Sequence, residues 1–388
     1  MAGYIGNKAV NLSTSGADIS GTANLDAVNI DGAVQIDATL SVGVNDTGYD
    51  VKFFGATASR HMTWDESADS LIISGDLDVN DGTIKLDGNY PTGTGNVALG
   101  DDALRDGSLS GGNNTAIGHY ALYANTSGTE NTSVGRGNLD ANTTGSHNTA
   151  LGSTALSSSS TGSYNTALGS LALNANTTAS NNTAVGYRAL EDNTTGSPNT
   201  AVGYVALPNN TTGASNTALG YIAMGDNTTG GSNVALGHQA LTSNTTASEN
   251  TAVGYQAAYS MDSLKANTTA SNNTAVGYKA GYANTTGALN TSIGGNAGDA
   301  ITTGANNICI GYDSGSEGVS LTTGSKNILI GNFSNTSAVD VEQEIVIGYD
   351  IGGGGTNTVR IGTPGGNATL GLDGSDTSWA AASDERLK

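Results

Sequence analysis

The sequence predicts an all-β chain, most of it a repetitive parallel β-solenoid or β-roll, preceded by small N-terminal β modules. Three observations predict this. A short phrase returns at a nearly fixed interval from Asn96 to about Asn332. Large and small residues alternate with period two inside it. A tract of turn-forming residues closes each copy.

The clearest copies read NTAVGYRALEDNTTGSP from Asn182 and NTAVGYVALPNNTTGAS from Asn199. Anchoring glycines run from Gly100 through Gly118, Gly135 and Gly152 to Gly311 and Gly331, mostly 17 residues apart. The exceptions are 18 residues at the start, 23 between Gly254 and Gly277, and 20 before Gly331. Degenerate copies follow at Gly348 and Gly362. A short fixed period over such a length is the signature of a repeat architecture. The residue before each glycine is aliphatic, as at Leu99, Ile117 and Val185, and Thr, Val or Ile stands two residues earlier. A small residue, usually Ala, sits between them, which is the alternation of a half-buried strand. The glycine permits a bend that a Cβ would resist. Ala-Leu pairs such as Ala189-Leu190 give a second inward apolar point, and Asn-Thr-Thr-Gly-Ser makes the turn. Such a unit cannot fold alone, but it can stack as one coil and extend a parallel sheet along the axis.

An asparagine recurs four residues before each glycine, from Asn96 and Asn114 to Asn307 and Asn327. Stacked coils would set these amides about 4.8 Å apart. A structural amide ladder is the expected reading; a ligand-binding row is its alternative.

The N-T-A-V-G and N-I-C-I-G phrases resemble the head repeats of YadA-like trimeric adhesins, which are left-handed parallel β-rolls, and still more the repeat regions of bacteriophage tail fibres. The resemblance covers about 240 residues. It implies a homotrimer with three coils side by side. The adhesin repeat is usually shorter, so the coil's shape stays open.

Composition agrees with a thin stacked core. With 57 glycines, 5% aromatic and 12% charged residues, the chain cannot build one large aromatic-rich interior. A net charge of −21 argues against nucleic-acid binding and anionic membranes. No long apolar run predicts membrane insertion. The start MAGYIGNKAV lacks the apolar core and cleavage site of a signal peptide, which favours assembly in the host cytoplasm over secretion. Cys309 is the sole cysteine, so intrachain disulfides are excluded. No cofactor and no metal site is expected.

Five segments follow in order. Residues 1–44 carry short alternating runs such as Ala33–Asp37 and read as thin β structure; position and likeness to phage fibre starts suggest virion attachment. Residues 45–95 gather Tyr49, Phe53, Phe54, Trp64 and Tyr90 into a small β module, with strands expected at 50–54, 61–65, 70–74 and 83–86. Its YDVKFFGATASRHMTWDESADSLIISG phrase resembles a segment common in phage fibre proteins. Trp64-Asp65-Glu66 is either a sugar site or packing for the aromatics. Residues 96–332 are the solenoid. There, the Tyr after many glycines (Tyr187, Tyr204, Tyr221, Tyr255, Tyr278, Tyr312) either binds glycans or packs at a chain contact. His119 and His238 fill the same slot, too far apart to share a metal within one chain. An insertion around Tyr259–Lys265 and a smaller one near Asp313–Val319 interrupt the period, and solenoid insertions form loops on one face. In the first, Met261 and Leu264 are candidates to fold back and pack. Residues 333–382 hold degenerate coils and a C-terminal β region.

Residues 383–388, Ser-Asp-Glu-Arg-Leu-Lys, resemble the self-cleavage motif of the peptidase family S74 intramolecular chaperone, which ends endosialidase tailspikes and many phage fibres. The family's Ser–Lys dyad maps onto Ser383 and Lys388, which would cut the bond between Ala382 and Ser383. A buried, uncharged lysine can act as base for a serine hydroxyl. The chaperone body that would bury Lys388 is absent from the sequence. Apart from this autoproteolysis, no enzyme activity is expected. The functional expectation is a virion tail fibre for host attachment, partnered by its own copies, by other tail or baseplate proteins, and by a host-surface glycan or protein. A bacterial trimeric adhesin, an ice-binding solenoid and a glycan-cleaving tailspike are the alternatives. The first would need a signal peptide and a membrane barrel; the last would need paired carboxylates, which do not recur here.

Overall fold

The computed structural model describes residues 51–54, 61–65, 70–74, 94–105, 110–259, 270–372 and 380–381, with side chains within 94–372. Every regular element among them is a strand. The chain divides into two units, Met1–Ile84 and Lys85–Lys388.

In the first unit β1 (Val51–Phe54), β2 (His61–Asp65) and β3 (Ser70–Ser74) form an antiparallel sheet in that order. Val51 lies opposite Trp64 and Phe54 opposite His61, while Trp64 faces Leu71 on the other side. These are three of the four strands expected in the 45–95 module. The fourth, at 83–86, and the whole of 1–44 lie outside the described residues.

The second unit is the solenoid. Fifteen short strands, from β4 (Val97–Leu99) to β18 (Ile345–Gly348), pair in parallel with their chain neighbours. Pairing follows the repeat residue for residue: Thr183 lies beside Thr200 and Thr200 beside Thr217. The insertion leaves this register intact. In β13 (Thr251–Val253) and β14 (Thr274–Val276), Ala252 still meets Ala275. Residues 260–269, which include Met261 and Leu264, lie outside the described residues. Past β18 the pattern changes. β19 (Thr358–Thr363) adds a last parallel strand, then β20 (Gly366–Gly371) and β21 (Ala380–Ala381) turn antiparallel.

The strands alternate as expected, but large residues do not point inward. The middle residue is the buried one, usually Ala (Ala116, Ala184, Ala201, Ala218), and its larger neighbours face out. Leu151 is 47% exposed and Leu219 44%. The reason is room. A coil this short encloses a narrow interior, which the strand methyl and the Ala-Leu pair opposite, such as Ala189 and Leu190, already fill. The Ala-Leu segment is therefore inward, as expected.

Two rows of asparagine hold the coils. In the first, each side chain takes hold of the next coil and, except at Asn250, whose Nδ2 is buried without a partner, ties its own coil shut. Asn131 Nδ2 donates to Gly145 O (2.8 Å), at the far end of the same coil, and Asn131 Oδ1 accepts the backbone N–H of Asn148 (2.9 Å). The second row lies in the Asn-Thr-Thr turns. Asn142 Nδ2 donates to Asn125 Oδ1 (2.8 Å) and to the same Gly145 carbonyl (3.1 Å). Both rows are buried. Stranding one such buried polar group would cost about 1–3 kcal/mol. The amide ladder is structural.

The first row ends at Glu344, which occupies the next asparagine slot and is fully buried. Its backbone N–H donates to Asn327 Oδ1 (2.9 Å). Its carboxylate accepts the backbone N–H groups of Ser337 (2.9 Å) and Gly355 (2.7 Å).

The corners rely on the left-handed region of backbone space. The anchoring glycines use it as expected; Gly203 has φ 140°. The core leucines also use it: Leu173, Leu190 and Leu207 sit near φ 52°. That conformation strains a bulky residue. Burial and an inter-coil bond, Leu190 N–H to Ala206 O (3.0 Å), hold it in place. Later coils relieve the strain by putting Gly281, Gly298 and Gly315 in the leucine's slot. From the coil of Gly298 onward the core is a second cluster, filled instead by Ile301, Cys309, Leu321, Leu329 and Val346.

A methyl on Gly203 would lie 2.4 Å from the carbonyl oxygen of Gly220, at a φ that L-residues avoid. Gly203→Ala should therefore lower stability by at least about 2 kcal/mol. Gly365→Ala, whose methyl meets nothing within 4 Å, should leave the circular-dichroism melting curve unchanged.

Candidate functional site

The residues expected to carry chemistry, Ser383 and Lys388, lie outside the described residues, as does Ala382. β21 runs up to Ala381, one residue short of the expected scissile bond. Of the Trp64-Asp65-Glu66 cluster, the first two end β2 and pair with Leu71 and Ser70, while Glu66 lies outside the described residues.

What the fold does assemble is a surface. The parallel register lines up the outward residues of successive strands: Val202 beside Leu219, Leu219 beside Leu236. Together with the outward threonines they make an apolar, Thr-flanked strip along the sheet. Single exposed apolar residues are ordinary on protein surfaces, but a contiguous strip marks a contact surface.

Beside the strip runs the row of residues that follow the anchoring glycines. Tyr187, Tyr204, Tyr221, His238, Tyr255 and Tyr278 stack ring on ring, with centroids 4.8–5.5 Å apart and interplanar angles of 7–25°. The spacing arises because consecutive coils place one ring per turn. His238 is an ordinary member of this stack, between Tyr221 and Tyr255. His119 instead tilts against Tyr120 and lies 3.9 Å from Asp101. Among the described residues no three His, Cys, Asp or Glu side chains gather to hold a metal ion. The stack bears on the choice between glycan binding and packing. Sugars stack on ring faces, and inside this row each face is covered by the next ring. The row offers edges, which suits packing against another chain.

The sequence marked the position of these rings but not their stacking, and it missed the strip, because the inward and outward senses of the strand were reversed. Outward Leu, Val and Ile before each glycine were the available signal.

Few groups are electrostatically unusual. Burial pushes the Cys309 thiol up to about 12, so it stays protonated. Burial also raises the Asp299 carboxyl, against a lowering hydrogen bond from Ser316. Asp140 is likewise raised by loss of solvent, only partly offset by backbone hydrogen bonds, and its Oδ1 is buried without a partner. A carboxyl raised on folding holds its proton more tightly in the native state. It therefore removes stability as pH rises from the ordinary carboxylate value through the raised one. Asp140→Asn should melt higher than wild type at neutral pH, and the difference should close below about pH 3.9. Thermal melts across that range check this.

No helix among the described residues is long and apolar enough to cross a membrane. No family model, no curated protein and no solved structure matches the chain.

Proposed function

We propose that the chain is the shaft of a trimeric virion fibre or tailspike-like protein that attaches to a host surface. The observation that carries this reading is the outward strip. Most strands bury a small middle residue and turn a larger aliphatic one outward, half-exposed or exposed, an arrangement that favours covering the strip with protein. The repeat's likeness to YadA-like heads and phage fibres favours a second and third copy of the same chain as the cover, with the ring row packed along the contact. On this reading the partners are those copies, tail or baseplate proteins, and a host-surface glycan or protein. Assembly takes place in the host cytoplasm and the product resides in the virion.

Light scattering on the purified chain should give three times the 38.5 kDa protomer mass. Replacing Leu219 and Leu236 by Asp should release monomers. A stable folded monomer of the unsubstituted chain would overturn the reading. It would leave the in-register Thr183, Thr200 and Thr217 facing solvent along the sheet, and ice binding, read out as thermal hysteresis, would become the better account. For attachment itself, antibody against residues 96–332 should decorate tail fibres on intact virions.

Self-cleavage belongs to the same proposal. A lysine in water, with its ordinary value of about 10.4, stays charged and cannot act as base, so cleavage should need a folded body that buries Lys388. With an S74-type chaperone body joined after Lys388, the chain should be released at Ala382. Ser383→Ala and Lys388→Ala should each leave the fusion whole on a denaturing gel. Release from either variant would reduce the motif to a charged tail.

A further inference from the structure

The outward strip is not uniform along the shaft. Upstream, one of its two files is usually threonine, as at Thr251, Thr274 and Thr291, and the other is Val, Leu or Ile. From β16 (Ile308–Ile310) through β17 (Ile328–Ile330) and β18 to β19 both files are aliphatic. The register sets Ile308 beside Ile328, Ile328 beside Ile345, and Ile345 beside Val359. The second file runs in the same way from Ile310 to Ile361. Each of these side chains is half-buried or exposed in the single chain, Ile361 by 42%.

The fold does not ask for isoleucine here. Thr291 pairs with Ile308 in the same parallel register, and both residues are β-branched, so the strand accepts either. The difference lies at the surface. Threonine keeps a hydroxyl for water, whereas isoleucine gains by leaving water. A contiguous aliphatic patch marks a contact surface.

Two features say what covers it. The first is charge. From β4 to β19 neither file holds an Asp, Glu, Lys or Arg, in a chain of net charge −21. A partner chosen by charge finds nothing to bind on this face, while copies of so acidic a chain meet there without opposing carboxylates. The second is the step. Each file advances by one side chain per coil, about 4.8 Å. A parallel copy advances by the same step, so two such surfaces interlock along the whole patch.

We propose that the patch on β16–β19 anchors self-association: copies of this chain hold one another most tightly there, and the threonine-flanked coils before it add less. This rests on the reading of the strip as a contact between copies, and assigns where its strength lies.

Sedimentation of the intact chain over a dilution series tests it. Ile308→Thr, Ile328→Thr and Ile345→Thr together restore the residue that other coils carry in that file. They should raise the concentration at which the assembly dissociates at least about a hundredfold. Ile117→Thr, Leu151→Thr and Leu168→Thr, an equal set of outward changes upstream, should raise it less than about tenfold. Should the first set alter the circular-dichroism spectrum, Ile345→Thr alone is the second variant, with a shift of about tenfold expected. Dissociation left unchanged by the folded Ile345 variants, or promoted as much by the upstream set, would overturn the proposal and leave the fibre reading standing. An unsubstituted chain that sediments as a monomer would overturn both.

Discussion

The solenoid depends on one repeated contact, the asparagine side chain four residues before each glycine. A coil of this size has little apolar surface, and mostly methyl groups and one leucine fill it. Its walls are backbone, whose polar groups must all find partners. The asparagine answers both needs with one amide. Its donor closes the coil and its acceptor receives the next. Because every coil holds its neighbour in the same way, the fold extends by repetition rather than by a growing core. The tolerated features follow from this. Six added residues interrupt the array without moving the register, since Asn250 Oδ1 still receives the backbone N–H of Asn273.

The rest of the coil is built to let these contacts form. Glycine at the first corner brings adjacent backbones close, and the leucines accept a strained conformation because the coil must turn there. Where Gly281, Gly298 and Gly315 remove the strain they also remove the leucine's volume. Ile301 and Leu321 then enter from the turn where other coils carry the second asparagine row. In the coils of Gly298 and Gly315 the core is thus filled from another wall, whereas the coil of Gly281 keeps Asn284 in its turn.

Much of this was legible in the sequence, and the limits have physical causes. Periodicity located the coils, the parallel pairing, the asparagine row and three strands of the N-terminal module. The sense of the alternation was not legible, because a period of two carries no sign. Coil width decides which member faces inward, and width belongs to the folded coil. The left-handed leucines left no mark either, since nothing in Ala-Leu resembles the glycine or asparagine usual at such a conformation. The ring row was visible as a position, but stacking depends on the rise between coils.

Glu344 has a consequence for growth. A stack whose every layer offers the same acceptor to the following layer is a template, and a template left open recruits further layers from any chain that fits. Asparagine would have renewed the offer at this position. Glu344 gives its backbone N–H to Asn327 Oδ1 like any other member, and its own oxygens then accept the backbone N–H groups of Ser337 and Gly355. The strand order reverses soon afterwards at β20. The row of asparagine acceptors thus closes at Glu344, and one further parallel strand, β19, is added before the sheet turns antiparallel.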